Sequence, residues 1–310
     1  MERMEWTFTS ADRTNRIHCW IWLPDGEPAG ILQIATGMAE TALRYEPFAR
    51  HLNSLGITAV ASDHLGQGLS VKDEADWGWM GPGQADEQLV QDLRTVTDEI
   101  RRRWPGKPVW LLGHSLGSFI VRRYVAENDR LAGAILMGTA HVPAGVARTG
   151  LLLTRLSGIN RDDRRRSKLL NYMTAGAYNR PYKPARTEFD WLTTDEEIVD
   201  AYIADPACGY AFTLNGHDAM FRTLLWIADT GRLADVRGGF PVLIVSGAED
   251  PVGDMGRGPA RVADEWKEHS KADVSLKLYP GMRHEILNEI GRQGVWQDLS
   301  DWLMSGIIGT

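Results

Sequence analysis

Gly113-His114-Ser115-Leu116-Gly117 stands between two stretches of different periodicity. Before it, Pro108-Val109-Trp110-Leu111-Leu112 is a continuous apolar run of strand length. After it, residues 118–124 repeat their apolar side chains at helical spacing. A strand, a G-x-S-x-G turn and a helix in that order are the context of a serine nucleophile. The turn forces a strained backbone on the serine and demands glycine wherever neighbouring chains come close. The helix then directs its free N–H groups and positive dipole end at charge developing beside that serine.

A turn of this kind needs a parallel sheet to stand on, and the surrounding sequence predicts one. Residues 5–9, 18–23, 30–35, 57–61 and 132–137 read as strands, with helical segments at 44–54 and 87–103. The same rhythm returns late, with strands at 240–246 and 274–279 and helices at 259–269 and 293–304. Alternation of strand and helix implies a mostly parallel sheet covered on both faces. Between residues 141 and 239 the alternation stops. Amphipathic segments at 194–204 and 218–228 are the only regular signals there, and no strand is evident. The chain therefore divides into a core, residues 1–140 and 240–310, and a helical insertion, residues 141–239. The charge-dense stretch 160–168 within it reads as a solvated helix face.

Several function classes drop out. With 41 acidic against 34 basic residues the net charge is −7, which disfavours nucleic acid as a partner. Cys19 and Cys208 are the only cysteines and read as two reduced thiols. The first residues lack the apolar core of a signal peptide, and no run reaches the ~18 apolar residues of a membrane span. A cytoplasmic protein without stable membrane insertion is expected.

A serine nucleophile requires a base and a carboxylate to orient it. In an open α/β sheet these belong just past the carboxyl ends of strands. Asp250 follows the strand at 240–246, in Gly247-Ala248-Glu249-Asp250-Pro251, and His284 follows the strand at 274–279, in Gly281-Met282-Arg283-His284-Glu285. Glu249 competes with Asp250 as the acid. His114 reads as a packing residue, since adjacent side chains on a turn diverge. The oxyanion formed by attack needs two donors. The Leu116 N–H is one, and the loop after the third strand supplies the other, with the Met38 N–H best placed. No histidine shows metal-ligand spacing, so no metal and no cofactor is expected.

These residues resemble the α/β-hydrolase family, and more narrowly its branch of lysophospholipases and monoacylglycerol lipases, the serine aminopeptidase S33-like hydrolases. The resemblance spans nearly the whole chain. It rests on Thr36-Gly37-Met38-Ala39-Glu40, Asp63-His64-Leu65-Gly66-Gln67-Gly68-Leu69-Ser70, the serine turn, Ser246 to Gly253 and Gly281 to Glu285. It implies an α/β-hydrolase fold with a helical cap at 141–239. It further implies a triad of Ser115, Asp250 and His284, oxyanion donors at Met38 and Leu116, and a carboxylic-ester substrate of monoacylglycerol or lysophospholipid type with an apolar acyl chain. Two positions depart from the family pattern: Thr36 stands where it carries histidine, and so does Gln67. A peptidase, a thioesterase or a hydroxynitrile lyase on the same fold, and a catalytically silent ligand-binding fold, stay open. Phe212, Phe221 and Trp226 of the insertion are expected to wall an acyl pocket. Trp77, Trp79 and Trp191 are further candidates for its lining.

Overall fold

The computed structural model of the protein describes residues 2–127, 130–158 and 164–308. Strands β1 (Glu2–Thr9), β2 (Arg16–Leu23), β3 (Gly30–Ala35), β4 (Ile57–Ser62), β5 (Val109–His114), β6 (Gly133–Met137), β7 (Pro241–Gly247) and β8 (Asp273–Tyr279) form one sheet. Their order across it is β1-β2-β4-β3-β5-β6-β7-β8. β1 and β2 pair antiparallel, β2 joins β4 antiparallel, and every later pairing is parallel. The central strands β3 to β6 are buried along their whole length, which is why they read as unbroken apolar runs. β8 lies at an edge and alternates exposed and half-buried residues, matching the alternation of Val274-Ser275-Leu276-Lys277.

The helices are α1 (Glu46–Ser54), α2 (Ala85–Arg103), α3 (Leu116–Glu127), α4 (Ala144–Leu156), α5 (Lys168–Asn171), α6 (Glu196–Ala204), α7 (Leu214–Ile227), α8 (Arg257–His269) and α9 (Arg292–Ile308). Two apolar clusters show how they cover the sheet. Leu89 and Val96 of α2, Ile120 and Tyr124 of α3 and Trp266 of α8 share one core. Phe48 and Leu52 of α1 and Leu299 and Leu303 of α9 share the other. The sheet thus sits between two helix layers, the doubly covered α/β arrangement that the sequence predicts. The first helix is shorter than predicted, because a 3-10 turn, Ala42–Tyr45, precedes it and Pro47 sits in its first turn.

Helices α4 to α7 fill the connection from β6 to β7. Among the described residues, a single bridge outside the named strands pairs Arg166 with Thr213. The charge-dense stretch departs from expectation in its described part. Arg164 bonds Asp76 at 2.8 Å and lies over the Trp79 ring. Arg166 donates to the carbonyls of Ala211 and Trp77. These side chains are exposed, as expected, but they sit outside any helix and fasten the insertion to the loop before α2. Asn160, Arg161, Asp162 and Asp163 of that stretch lie outside the described residues.

Candidate active site

The carboxyl ends of β3, β5, β7 and β8 open on the same side of the sheet, and each delivers one part of the site. Ser115 follows β5 with φ of 51°, in the left-handed region that side chains avoid. Its N–H donates to the Met137 carbonyl, and α3 begins at the next residue. The two glycines are demanded by crowding. A Cβ on Gly113 would lie 2.5 Å from the Gly117 carbonyl oxygen, and one on Gly117 would lie 2.2 Å from that of Ala35. The serine therefore stands half-buried at the head of a helix on a turn that no bulkier sequence could form.

Asp250 and His284 meet from the loops after β7 and β8. His284 Nδ1 lies 2.9 Å from Asp250 Oδ2, and both side chains are buried. Asp250 also accepts from Ser246 Oγ at 3.1 Å and from the Val252 N–H at 2.8 Å. Three donors fix the carboxylate, and the carboxylate fixes the imidazole with its proton on Nδ1, leaving Nε2 as a base. Burial pulls the imidazole pKa down, but the Asp250 charge and hydrogen bond outweigh it and hold His284 above its ordinary value. Glu249, the competing acid, is exposed and bonds through its backbone, its N–H donating to the Met282 carbonyl and its carbonyl accepting from Tyr182. His284 and Ser115 line the same cavity, without a hydrogen bond between their side chains.

Met38 and Leu116 line that cavity too, and their N–H groups have no acceptor among the described residues. The loop that carries Met38 is braced by an ion-pair network missed at the sequence level. Arg44 grips Glu285 through two bonds of 2.6 and 2.5 Å and Glu40 through one of 2.7 Å. Glu40 also accepts from Tyr45 and lies 3.0 Å from His114 Nδ1. Burial pushes both carboxyls up, yet Arg44 beside Glu285, and His114 and Arg44 beside Glu40, hold them below the usual carboxylate range. His114 is accordingly more than packing. It belongs to this polar network, and its ring lies 4.8 Å from that of His284. The Glu40-to-Arg44 spacing of one helical turn was the available signal.

The cavity has a volume of about 700 Å³. Phe119 of α3, Val146 of α4, and Met220, Phe221 and Leu224 of α7 give it an apolar wall. Asn171, Thr174, Tyr178, Asn179 and Thr187 add polar groups to its lining, among apolar neighbours such as Met173, Phe189 and Leu192. One lining segment, Tyr172–Gly176, is a π-helical turn, a form that gathers at functional sites. Of the expected acyl-wall residues, Phe221 is in place. Phe212 is not: it is fully buried just before α7, with its backbone pressed on Gly78. Trp226 is not either, because Arg123 and Arg232 hold its ring, which borders a separate surface depression. Trp191 lines the cavity 5.2 Å from the His284 ring, whereas Trp77 stacks on Tyr210 and Trp79 lies under Arg164. Among the described residues no group of three or more His, Cys, Asp or Glu could hold a metal ion, and no helix is long and apolar enough to cross a membrane.

Residues 26–291 match the family model described as serine aminopeptidase, S33. The chain is 28% identical to a monoacylglycerol lipase of Mycolicibacterium smegmatis, over 92% of this chain and 91% of that one. It is 24% identical to the human monoglyceride lipase, over 93% and 86%. Its fold superposes with a TM-score of 0.90 on a thermostable carboxyl esterase from Bacillus coagulans solved with glycerol, at 26% identity and 99% coverage of both chains.

Proposed function

Since the chain belongs to the serine aminopeptidase S33 family of α/β-hydrolases and is an ester hydrolase, we propose that it works through an acyl-enzyme on Ser115. Ser115 Oγ attacks the acyl carbonyl while His284 Nε2 takes its proton, and Asp250 holds the imidazolium that results. The N–H groups of Met38 and Leu116 receive the oxyanion. Collapse expels the alcohol, which leaves with the proton from His284. Water then attacks the acyl-enzyme, His284 again taking and returning a proton, and the free acid departs. The observation that carries this reading is His284, paired with a buried Asp250, opening on the same cavity as a strained serine at a helix start.

The mixed apolar and polar lining of the cavity supports a substrate with one aliphatic chain and a polar alcohol, of monoacylglycerol or lysophospholipid type. The segment 141–239 serves as the cap that sets this choice. A peptidase is less well supported, because binding a peptide amino terminus calls for free carboxylates. The cavity's two buried ones, Glu40 and Glu285, are spent on Arg44, which leaves the exposed Glu188 for that task among the described residues. The two free, buried cysteines support a reducing, cytoplasmic setting. The test combines labelling by a fluorophosphonate probe with hydrolysis of monoacylglycerols, lysophospholipids and p-nitrophenyl esters of graded length. Labelling that survives Ser115→Ala, or activity on aminoacyl amides alone, would overturn the proposal.

A further inference from the structure

The loop bearing Met38 takes its shape from the turn at residues 63–70, the segment that departs from the family pattern at Gln67. Three side-chain groups of this turn reach three backbone groups of the loop. Asp63 Oδ1 accepts from the Ala42 N–H at 2.7 Å, and His64 Nε2 donates to the Thr36 carbonyl at 3.1 Å. Between them, Gln67 Oε1 accepts from the Ala39 N–H at 2.5 Å. Ala39 sits at φ of 53°, a left-handed conformation that a residue with a Cβ holds only under constraint. Its carbonyl is constrained as well, accepting from the Gly209 N–H at 3.0 Å and from the Tyr202 hydroxyl at 2.9 Å.

Gln67 is itself a rigid anchor. It is fully buried, its N–H donates to the His64 carbonyl, and its carbonyl accepts from the Ser70 N–H. Its Nε2 is buried with no hydrogen-bond partner, so the side chain is used through its oxygen alone. That oxygen faces an N–H one residue along from the Met38 N–H.

We propose that Gln67 is a positioning residue for the oxyanion hole, holding Ala39 left-handed so that the Met38 N–H faces the oxyanion formed when Ser115 attacks the acyl carbon. The inference rests on the reading of Ser115 as nucleophile and Met38 as donor. Gln67 touches no substrate atom; it acts through the strained residue beside the donor. A donor displaced by about an ångström loses most of its value to the transition state while substrate binding is left alone.

The experiment compares wild type with Gln67→Met, which removes the acceptor, and Gln67→Asn, which keeps the amide but shortens its reach and serves should the methionine variant not fold. Gln67→Glu keeps an acceptor oxygen at full reach. Kinetics on p-nitrophenyl butyrate are read together with affinity for an alkyl trifluoromethyl ketone, whose adduct with a serine carries the oxyanion. We expect kcat to fall ~10- to 100-fold in the Met and Asn variants with KM within about threefold. Ketone affinity should fall by a similar factor, and Gln67→Glu should regain most of both. Folded variants with wild-type kcat and ketone affinity would overturn the inference, as would a loss confined to KM or a fall in kcat without weaker ketone binding. A wild-type protein that neither hydrolyses the ester nor binds the ketone would sink the reading of Ser115 itself, and this inference with it.

Discussion

A serine hydroxyl is a poor nucleophile until a base takes its proton, so the residue-scale expectations centre on three side chains. Ser115→Ala and His284→Ala should each lower esterase activity by several orders of magnitude, because members of such a group act as a unit. Asp250→Asn should cost less, since it disturbs orientation and charge without removing a reacting group. Both variants of the acid are informative: Glu249 is exposed and Asp250 buried against His284, so Glu249→Gln should be near wild type. Loss of activity in Glu249→Gln beside a normal Asp250→Asn would reverse that assignment. The pH profile follows from the same pair. His284 must be neutral to act as base, so kcat/KM is lost as pH falls through its pKa. Asp250 holds that pKa above the ordinary value of ~6.5, which puts the acid limb above that pH. In Asp250→Asn the raising charge is gone while burial remains, so the limb should move to lower pH as the plateau drops. An acid limb that moves up or stays put would contradict this account.

At the scale of elements, the strand ends and the helices of the insertion were legible but the inward-facing side chains of those helices were not, for a physical reason. Strands β3 to β7 announce themselves by short apolar runs, and the parallel sheet gathers the ends of β5, β7 and β8 at one edge. Ser115, Asp250 and His284 could therefore be placed by counting just past each run. No such rule gives the direction of a side chain on a cap helix. Phe212, Phe221 and Trp226 are equally apolar in the sequence, yet only Phe221 faces the cavity, and only packing against α3 and α4 decides that. Gln67 was visible as a departure, but its partner lies 28 residues away across a turn, beyond any spacing rule. The distinction among the three aromatics is measurable. Phe221→Ala should lengthen the preferred acyl chain while leaving fluorophosphonate labelling of Ser115 intact. Phe212→Ala should instead destabilise the fold by ~3–5 kcal/mol in chemical denaturation, the cost of emptying a buried phenylalanine site. Should Phe212→Ala keep full stability and change chain preference, its place in the core would be wrong.

Across the whole molecule, the insertion is bound to the sheet unevenly, and that asymmetry bears on how a substrate enters. Its second half is tied to the loop after β8. The Glu285 N–H donates to the Leu192 carbonyl at 2.7 Å, the Thr194 N–H to Glu289 at 3.0 Å, and Arg292 pairs with Asp195 at 2.9 Å. Tyr202 and Gly209 reach the Ala39 carbonyl beside the proposed oxyanion donor. The first half has looser surroundings, with Leu152, Leu156 and Leu169 all more than half exposed. Arg165 and Thr174 contact α7, within the insertion itself, and the bonds of this half to the core, from Arg164 to Asp76, Arg166 to the Trp77 carbonyl and Tyr182 to the Glu249 carbonyl, are made by exposed or half-exposed side chains that add little to stability. Local opening costs least where buried contacts and bonds to the core are fewest. The half holding α4, α5 and the π-helical turn should therefore open without disturbing Tyr202 or the Asp250–His284 pair. Hydrogen exchange followed by mass spectrometry tests this. Amides at 164–182 should exchange faster than those at 190–209 in the free protein, and should slow once a long-chain phosphonate is bonded to Ser115. Equal protection of the two segments would mean that the cap moves as one body, in which case opening would break the Tyr202 and Gly209 bonds to Ala39 and loosen the oxyanion loop at each turnover.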